Sequence, residues 1–130
     1  MYMKRDFSQK LLEWKASPRR KPLLLQGARQ TGKTFLLKQF GQTVYEKLFY
    51  FNFEEEPGLK DIFKRDLRPE RLLPLLSAAR KSDIRPERDL IFFDEIQSCN
   101  EALNALKYFC EEAPEYHVAV LRSRGRSPGR

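Results

Sequence analysis

The sequence predicts an α/β domain in three layers, a parallel sheet packed between helices, and three observations predict it. Short apolar runs alternate with stretches of helical spacing along the 130-residue chain, the pattern that builds strand-helix-strand units. One run, Leu23-Leu24-Leu25, passes into Gly27-Ala28-Arg29-Gln30-Thr31-Gly32-Lys33-Thr34 and then into a helical stretch. Another, Leu90-Ile91-Phe92-Phe93, ends in the acidic pair Asp94-Glu95.

In chain order, Phe7, Leu11 and Trp14 mark residues 6 to 16 as an amphipathic helix with Asp6 as its N-cap. The polar stretch Ser17 to Pro22 ends it and leads into a strand at 23 to 26. After the glycine loop, Phe35, Leu36, Leu37 and Phe40 predict a helix that stops at Gly41. Leu48 to Phe53 reads as a second strand, apolar enough to be covered on both faces.

Residues 57 to 81 predict one or two helices broken before Pro69, and Arg85 to Arg88 a turn into the third strand at 90 to 93. Ser98 and Glu101 form an S-x-x-E capping box for a further helix, whose stripe is Leu103, Leu106, Phe109 and Cys110. Pro114 stops that helix, and Tyr116 to Leu121 reads as a fourth strand.

Composition narrows the function classes. No apolar run approaches the roughly 20 residues that span a bilayer, and the N-terminus lacks a secretion signal's apolar segment, so a cytoplasmic protein without membrane contact is expected. The net charge of +7 is uneven, because residues 122 to 130 carry four arginines and no acid. Cys99 and Cys110 read as reduced thiols, and with His117 as the sole histidine they are not read as a zinc site.

Gly27-x-x-x-x-Gly32-Lys33-Thr34 is a complete phosphate-binding loop pattern. Glycines let the backbone wind so that successive N–H groups converge on a phosphate, and the helix that follows presents its positive dipole end to the same charge. Lys33 then reaches the β- and γ-phosphates, and the Thr34 hydroxyl ligates Mg²⁺; Ala28, Arg29, Gln30 and Thr31 fill the variable positions. Asp94, carried by its strand to the carboxyl edge of the sheet, is expected to hold Mg²⁺ through its water shell, with Glu95 polarising the attacking water.

The adjacent Asp and Glu favour an ATPase over a small-molecule kinase. Glu54-Glu55-Glu56 is read as acidic capping of a helix N-terminus, and Gln97 has two readings, a γ-phosphate contact or a solvated surface amide.

The stretches LLLQGARQTGKTFLLKQFG, YFNFEEEPGLKDIF, LIFFDEIQ and ALNALKYFCEEAPEYHV resemble the N-terminal core of bacterial and archaeal AAA-like ATPases that carry a C-terminal domain of unknown function. The resemblance implies a P-loop NTPase core whose fourth strand lies between the first and third, with a fifth strand outside the first, and ATP and Mg²⁺ as ligands. It covers Leu11 to Val118, and family members continue the fourth strand into a Gly-Ser-Leu-Leu-Gly-like stretch whose serine senses the γ-phosphate.

Here the chain reads Leu121-Arg122-Ser123-Arg124 and on to Arg130. The expectation is an N-terminal helix (1–16), a partial ATPase core (17–121) and a basic tail (122–130) produced by a shifted reading frame, with an open edge at the first strand and weak or absent hydrolysis. Two alternatives stay open: a natural basic tail that contacts nucleic acid, and a non-enzymatic nucleotide-switched module. The remaining partners expected are a protein client or further copies of the chain.

Overall fold

The computed structural model describes residues 2–27 and 32–123. In order the elements are α1 (Tyr2–Ala16), β1 (Leu23–Gly27), α2 (Lys33–Val44), β2 (Lys47–Asn52), α3 (Leu59–Ile62), α4 (Pro69–Arg80), β3 (Asp89–Asp94), a 3-10 turn (Ile96–Ser98), α5 (Asn100–Glu112) and β4 (His117–Ser123). The strands form one parallel sheet in the order β1-β4-β3-β2, with the fourth strand between the first and third as the resemblance implies. The chain is an α/β P-loop NTPase-like core.

Alternation along the strands sorts the side chains into two cores. Phe49, Phe51, Ile91, Phe93, Val118 and Val120 pack under α3, α4 and α5, while Leu90, Phe92, Ala119 and Leu121 pack under α1 and α2. β3 is buried along its whole length, which is why its sequence is apolar without alternation. At the edge, β1 turns Leu23 and Leu25 to the α1/α2 core and leaves Leu24 exposed on the other face. No helix among the described residues is long and apolar enough to cross a membrane.

The order positions a site. β1 and β2 lie at opposite edges, so the helices that follow β1 and β3 cover opposite faces, and the strand order reverses between β1 and β3, the kind of switch point at whose carboxyl ends open α/β sheets bind ligands.

Several local expectations are corrected. The first helix begins at Tyr2, because nothing in Tyr-Met-Lys-Arg breaks a helix, and Asp6 lies inside it. The second helix runs through Gly41 to Val44. A Cβ at Gly41 would come within 2.6 Å of Leu48 Cδ1 and 3.1 Å of Leu90 Cδ2, so this glycine permits close packing of helix on sheet instead of ending the helix. Phe35 is 65% exposed and does not belong to the buried stripe.

The S-x-x-E box does not form, because the 3-10 turn absorbs Ser98 and the N-cap falls on Cys99 with no side-chain capping bond. Glu101 instead accepts a hydrogen bond from the Cys99 thiol at 3.7 Å. The buried stripe of α5 is Ala102, Ala105 and Phe109, with Leu103 and Leu106 flanking it and Cys110 half-buried. β4 continues to Ser123, since pairing with β1 carries Gln26 against Arg122 and Gly27 against Ser123; Arg122 is exposed and Ser123 buried, as an alternating strand requires. Arg124 to Arg130 lie outside the described residues.

Candidate functional site

Of the phosphate-loop pattern, Gly27, Gly32, Lys33 and Thr34 are described, and Ala28, Arg29, Gln30 and Thr31 lie outside the described residues. Gly32 has φ +86, the left-handed conformation that glycine adopts without strain, and it is the N-cap of α2. No side chain caps this helix and no acid occupies its first turn, so its leading N–H groups and positive dipole end have no anionic partner from the helix itself. A Cβ at Gly27 would come within 3.2 Å of both Cδ and Nζ of Lys33. The missing side chain therefore makes room for the lysine to fold back over the start of the loop.

Asp94, at the end of β3, faces this helix. Its Oδ2 accepts hydrogen bonds from Thr34 Oγ1 at 3.2 Å and from the Tyr50 hydroxyl at 2.6 Å, and its Oδ1 accepts the backbone N–H of Glu95 at 2.8 Å. Tyr50 is set by strand register: Tyr50 pairs with Phe92 and Asn52 with Asp94, which puts all four on the α2 side of the sheet. Asn52 Nδ2 donates to the Tyr50 oxygen at 3.0 Å, and Lys38 Nζ lies 4.0 Å from the centre of the Tyr50 ring.

Burial pushes the Asp94 carboxyl above the usual carboxylate range; the Tyr50 hydroxyl pulls against this, the Glu95 charge adds to it, and Thr34 opposes it. A carboxylate in this balance is one that a cation would favour. Burial, reinforced by the bond to Asp94, also raises the Tyr50 phenol, so Tyr50 stays a donor throughout the neutral range.

Glu95 stands just past the strand with φ 55 and ψ 44, a left-handed conformation that a residue with a side chain occupies at a cost. Its Oε1 accepts a hydrogen bond from Gln97 Nε2 at 2.7 Å, and Gln97 Oε1 accepts the backbone N–H of Ser123 at 3.0 Å. Gln97 is thus not a solvated surface amide: both ends of its side chain are hydrogen-bonded, and it spans two elements.

The N-cap of α3 is Gly58, with no side-chain capping bond, so the acidic run Glu54 to Glu56 does not supply the cap residue of that helix. Asn52 Oδ1 accepts the N–H groups of Glu54 and Glu55 at 2.9 and 3.0 Å, and Glu56 pairs with Arg80. The residues missed by sequence reading are Tyr50 and Asn52. Their signal was two hydrogen-bonding side chains, spaced by two, in an otherwise apolar strand.

The family model described as an AAA domain matches residues 19–126. A search of curated proteins finds no match.

Proposed function

Because the chain belongs to the AAA domain family of ATPase-like nucleotide-binding modules, we propose that it binds Mg²⁺-ATP at the carboxyl end of the sheet and hydrolyses it with Glu95. The single observation that carries the reading is the 3.2 Å approach of Thr34 Oγ1 to Asp94 Oδ2, which brings to one point the hydroxyl that would ligate Mg²⁺ and the carboxylate that would hold its water shell. Oxygen is what Mg²⁺ takes, and with nucleotide phosphates and waters completing its shell one or two protein groups suffice. Bound there, Mg²⁺ would neutralise charge on the β- and γ-phosphates.

The chain's own groups divide the remaining work. Lys33 and the uncapped N–H groups of α2 hold the phosphates, Gly27 leaves the space through which the lysine reaches them, and Thr34 and Asp94 hold the cation. Glu95 accepts a hydrogen bond from a water on the γ-phosphate side and turns its lone pair toward phosphorus.

Saturable binding of a fluorescent ATP analogue that needs Mg²⁺ tests the site, and Lys33→Ala is expected to abolish it. Unchanged binding in that variant rules the assignment out. Phosphate release decides the chemistry: turnover that Glu95→Gln lowers by about a hundredfold or more supports hydrolysis, whereas binding without turnover identifies a nucleotide-switched module.

A further inference from the structure

We propose that Gln97 is a positioning residue that fastens Glu95 to the tip of β4, so that the water-polarising carboxylate and the strand beside the phosphate loop move as one unit. The proposal rests on the hydrolytic role given to Glu95 above.

Four observations carry it. Both ends of the Gln97 amide are used, the nitrogen donating to Glu95 Oε1 at 2.7 Å and the oxygen accepting from Ser123 N at 3.0 Å. Ser123 is buried and lies opposite Gly27 in the β1–β4 register, so the far end of this bridge sits against the first residue of the phosphate loop. Glu95 has a left-handed backbone, a conformation that persists only where surrounding groups hold it. Gln97 belongs to the 3-10 turn Ile96–Ser98, whose Ile96 is fully buried, so the amide is presented from an anchored base.

The chemistry needs such a fastening. A carboxylate side chain has several rotamers, and a general base must hold its oxygen within hydrogen-bond reach of the water it activates. A neutral amide can donate to the carboxylate without adding charge, and its other end is fixed by a backbone N–H whose position the sheet determines. Displacement of the β4 tip by a ligand in the loop is then passed to the Glu95 carboxylate through the Gln97 side chain, in addition to the backbone pairing of β3 with β4.

The test compares Gln97→Leu, Gln97→Glu, Glu95→Gln and the double variant Gln97→Leu/Glu95→Gln in the full chain. Gln97→Leu is expected to lower kcat about tenfold with KM and ATP-analogue affinity within twofold. In the double variant turnover falls no further than in Glu95→Gln alone, because both changes act through one carboxylate. Gln97→Glu sets a carboxylate against Glu95 in place of a donor, so it loses kcat at least as far as Gln97→Leu while ATP-analogue affinity stays within about twofold. Wild-type kcat in Gln97→Leu, or losses that add in the double variant, overturns the proposal.

A second arm needs no turnover: Glu95→Ala frees the Gln97 amide, and the Ser123 amide then exchanges faster. Unchanged Ser123 exchange in Glu95→Ala also overturns the proposal. A chain that binds no ATP would sink the reading of the loop, while the exchange arm still decides whether the bridge couples Glu95 to β4.

Discussion

The two ends of the sheet each bury a titratable side chain beside a tyrosine, and they treat it in opposite ways. At the carboxyl end Asp94 accepts hydrogen bonds from Tyr50, Thr34 and the Glu95 backbone, and next to it the α2 N-terminus has no side-chain cap. At the amino end His117 is 3% exposed, and its Nδ1 meets the Tyr45 hydroxyl at 2.6 Å. Trp14 of α1 packs edge-on against the imidazole at 5.9 Å between centroids, and His117 Nε2 is buried without a hydrogen-bond partner among the described residues. One end gathers a buried carboxylate, two hydroxyls and an uncapped helix N-terminus; the other seals a neutral ring under a helix. The sole histidine of a chain with a catalytic reading is thus part of the packing.

The largest expected effect tests the sealed end. Burial lowers the His117 pKa from 6.5 to about 4, with the charges of Arg20 and Lys15 adding to the shift. The unfolded chain therefore binds this proton first as pH falls. The stability from keeping the ring neutral is fully present above pH 6.5 and is lost as pH drops toward 4, by up to about 3 kcal/mol. Asp94 works the other way, because its raised carboxyl takes up a proton more readily in the fold than in the open chain. Urea unfolding of wild type and His117→Gln across pH 7 to 4.5 separates the two: the pH dependence due to His117 vanishes in the variant and the Asp94 contribution stays. An unaltered slope would mean that the ring is not held neutral.

The next effect in size breaks the tyrosine at the same end. Tyr45→Phe leaves His117 Nδ1 without its partner in a buried setting, at an expected cost of about 1 to 2 kcal/mol in unfolding free energy. ATP-analogue affinity is expected to stay unchanged, since Tyr45 lies at the opposite end of the strands from the loop. A loss of binding larger than the loss of stability explains would erase the division between the two ends.

How much of this division was legible depended on whether the signal was local. Gly27, Gly32, Lys33 and Thr34 were legible from spacing alone, because they match the phosphate-loop pattern position by position, and Asp94-Glu95 was legible from the apolar run before it. The sandwich followed from alternation of strand and helix. What stayed hidden was set by register. Tyr50 meets Asp94 only because β2 lies beside β3 with Asn52 opposite Asp94, and Gln97 meets Ser123 only because β4 ends beside the turn after β3.

Gly41 was misread for a related reason. Glycine signals a helix end when only the chain is considered, but here the controlling fact is the Leu48 side chain of a neighbouring strand. The extension of β4 over Arg122 and Ser123 was likewise dictated by β1 and not by their own apolar character.

The smallest effect sharpens the open end. Tyr50→Phe removes the 2.6 Å donor to Asp94 Oδ2 and the acceptor for Asn52 Nδ2 while leaving the ring in place against Phe92. If the tyrosine orients the carboxylate, the variant needs about tenfold more Mg²⁺ for half-maximal binding of the nucleotide analogue, the lower range for loss of a group that orients a metal ligand. The unfolding free energy should move much less than in Tyr45→Phe, because Tyr50 is only half-buried and Asp94 keeps its bonds to Thr34 and the Glu95 backbone. A lower Mg²⁺ requirement would carry a different meaning: the phenol and the cation compete for one oxygen, and Tyr50 holds the carboxylate closed until the metal arrives. The Mg²⁺ titration distinguishes these by sign, and a large fall in stability with no change in Mg²⁺ dependence would place Tyr50 with Tyr45 as a packing residue.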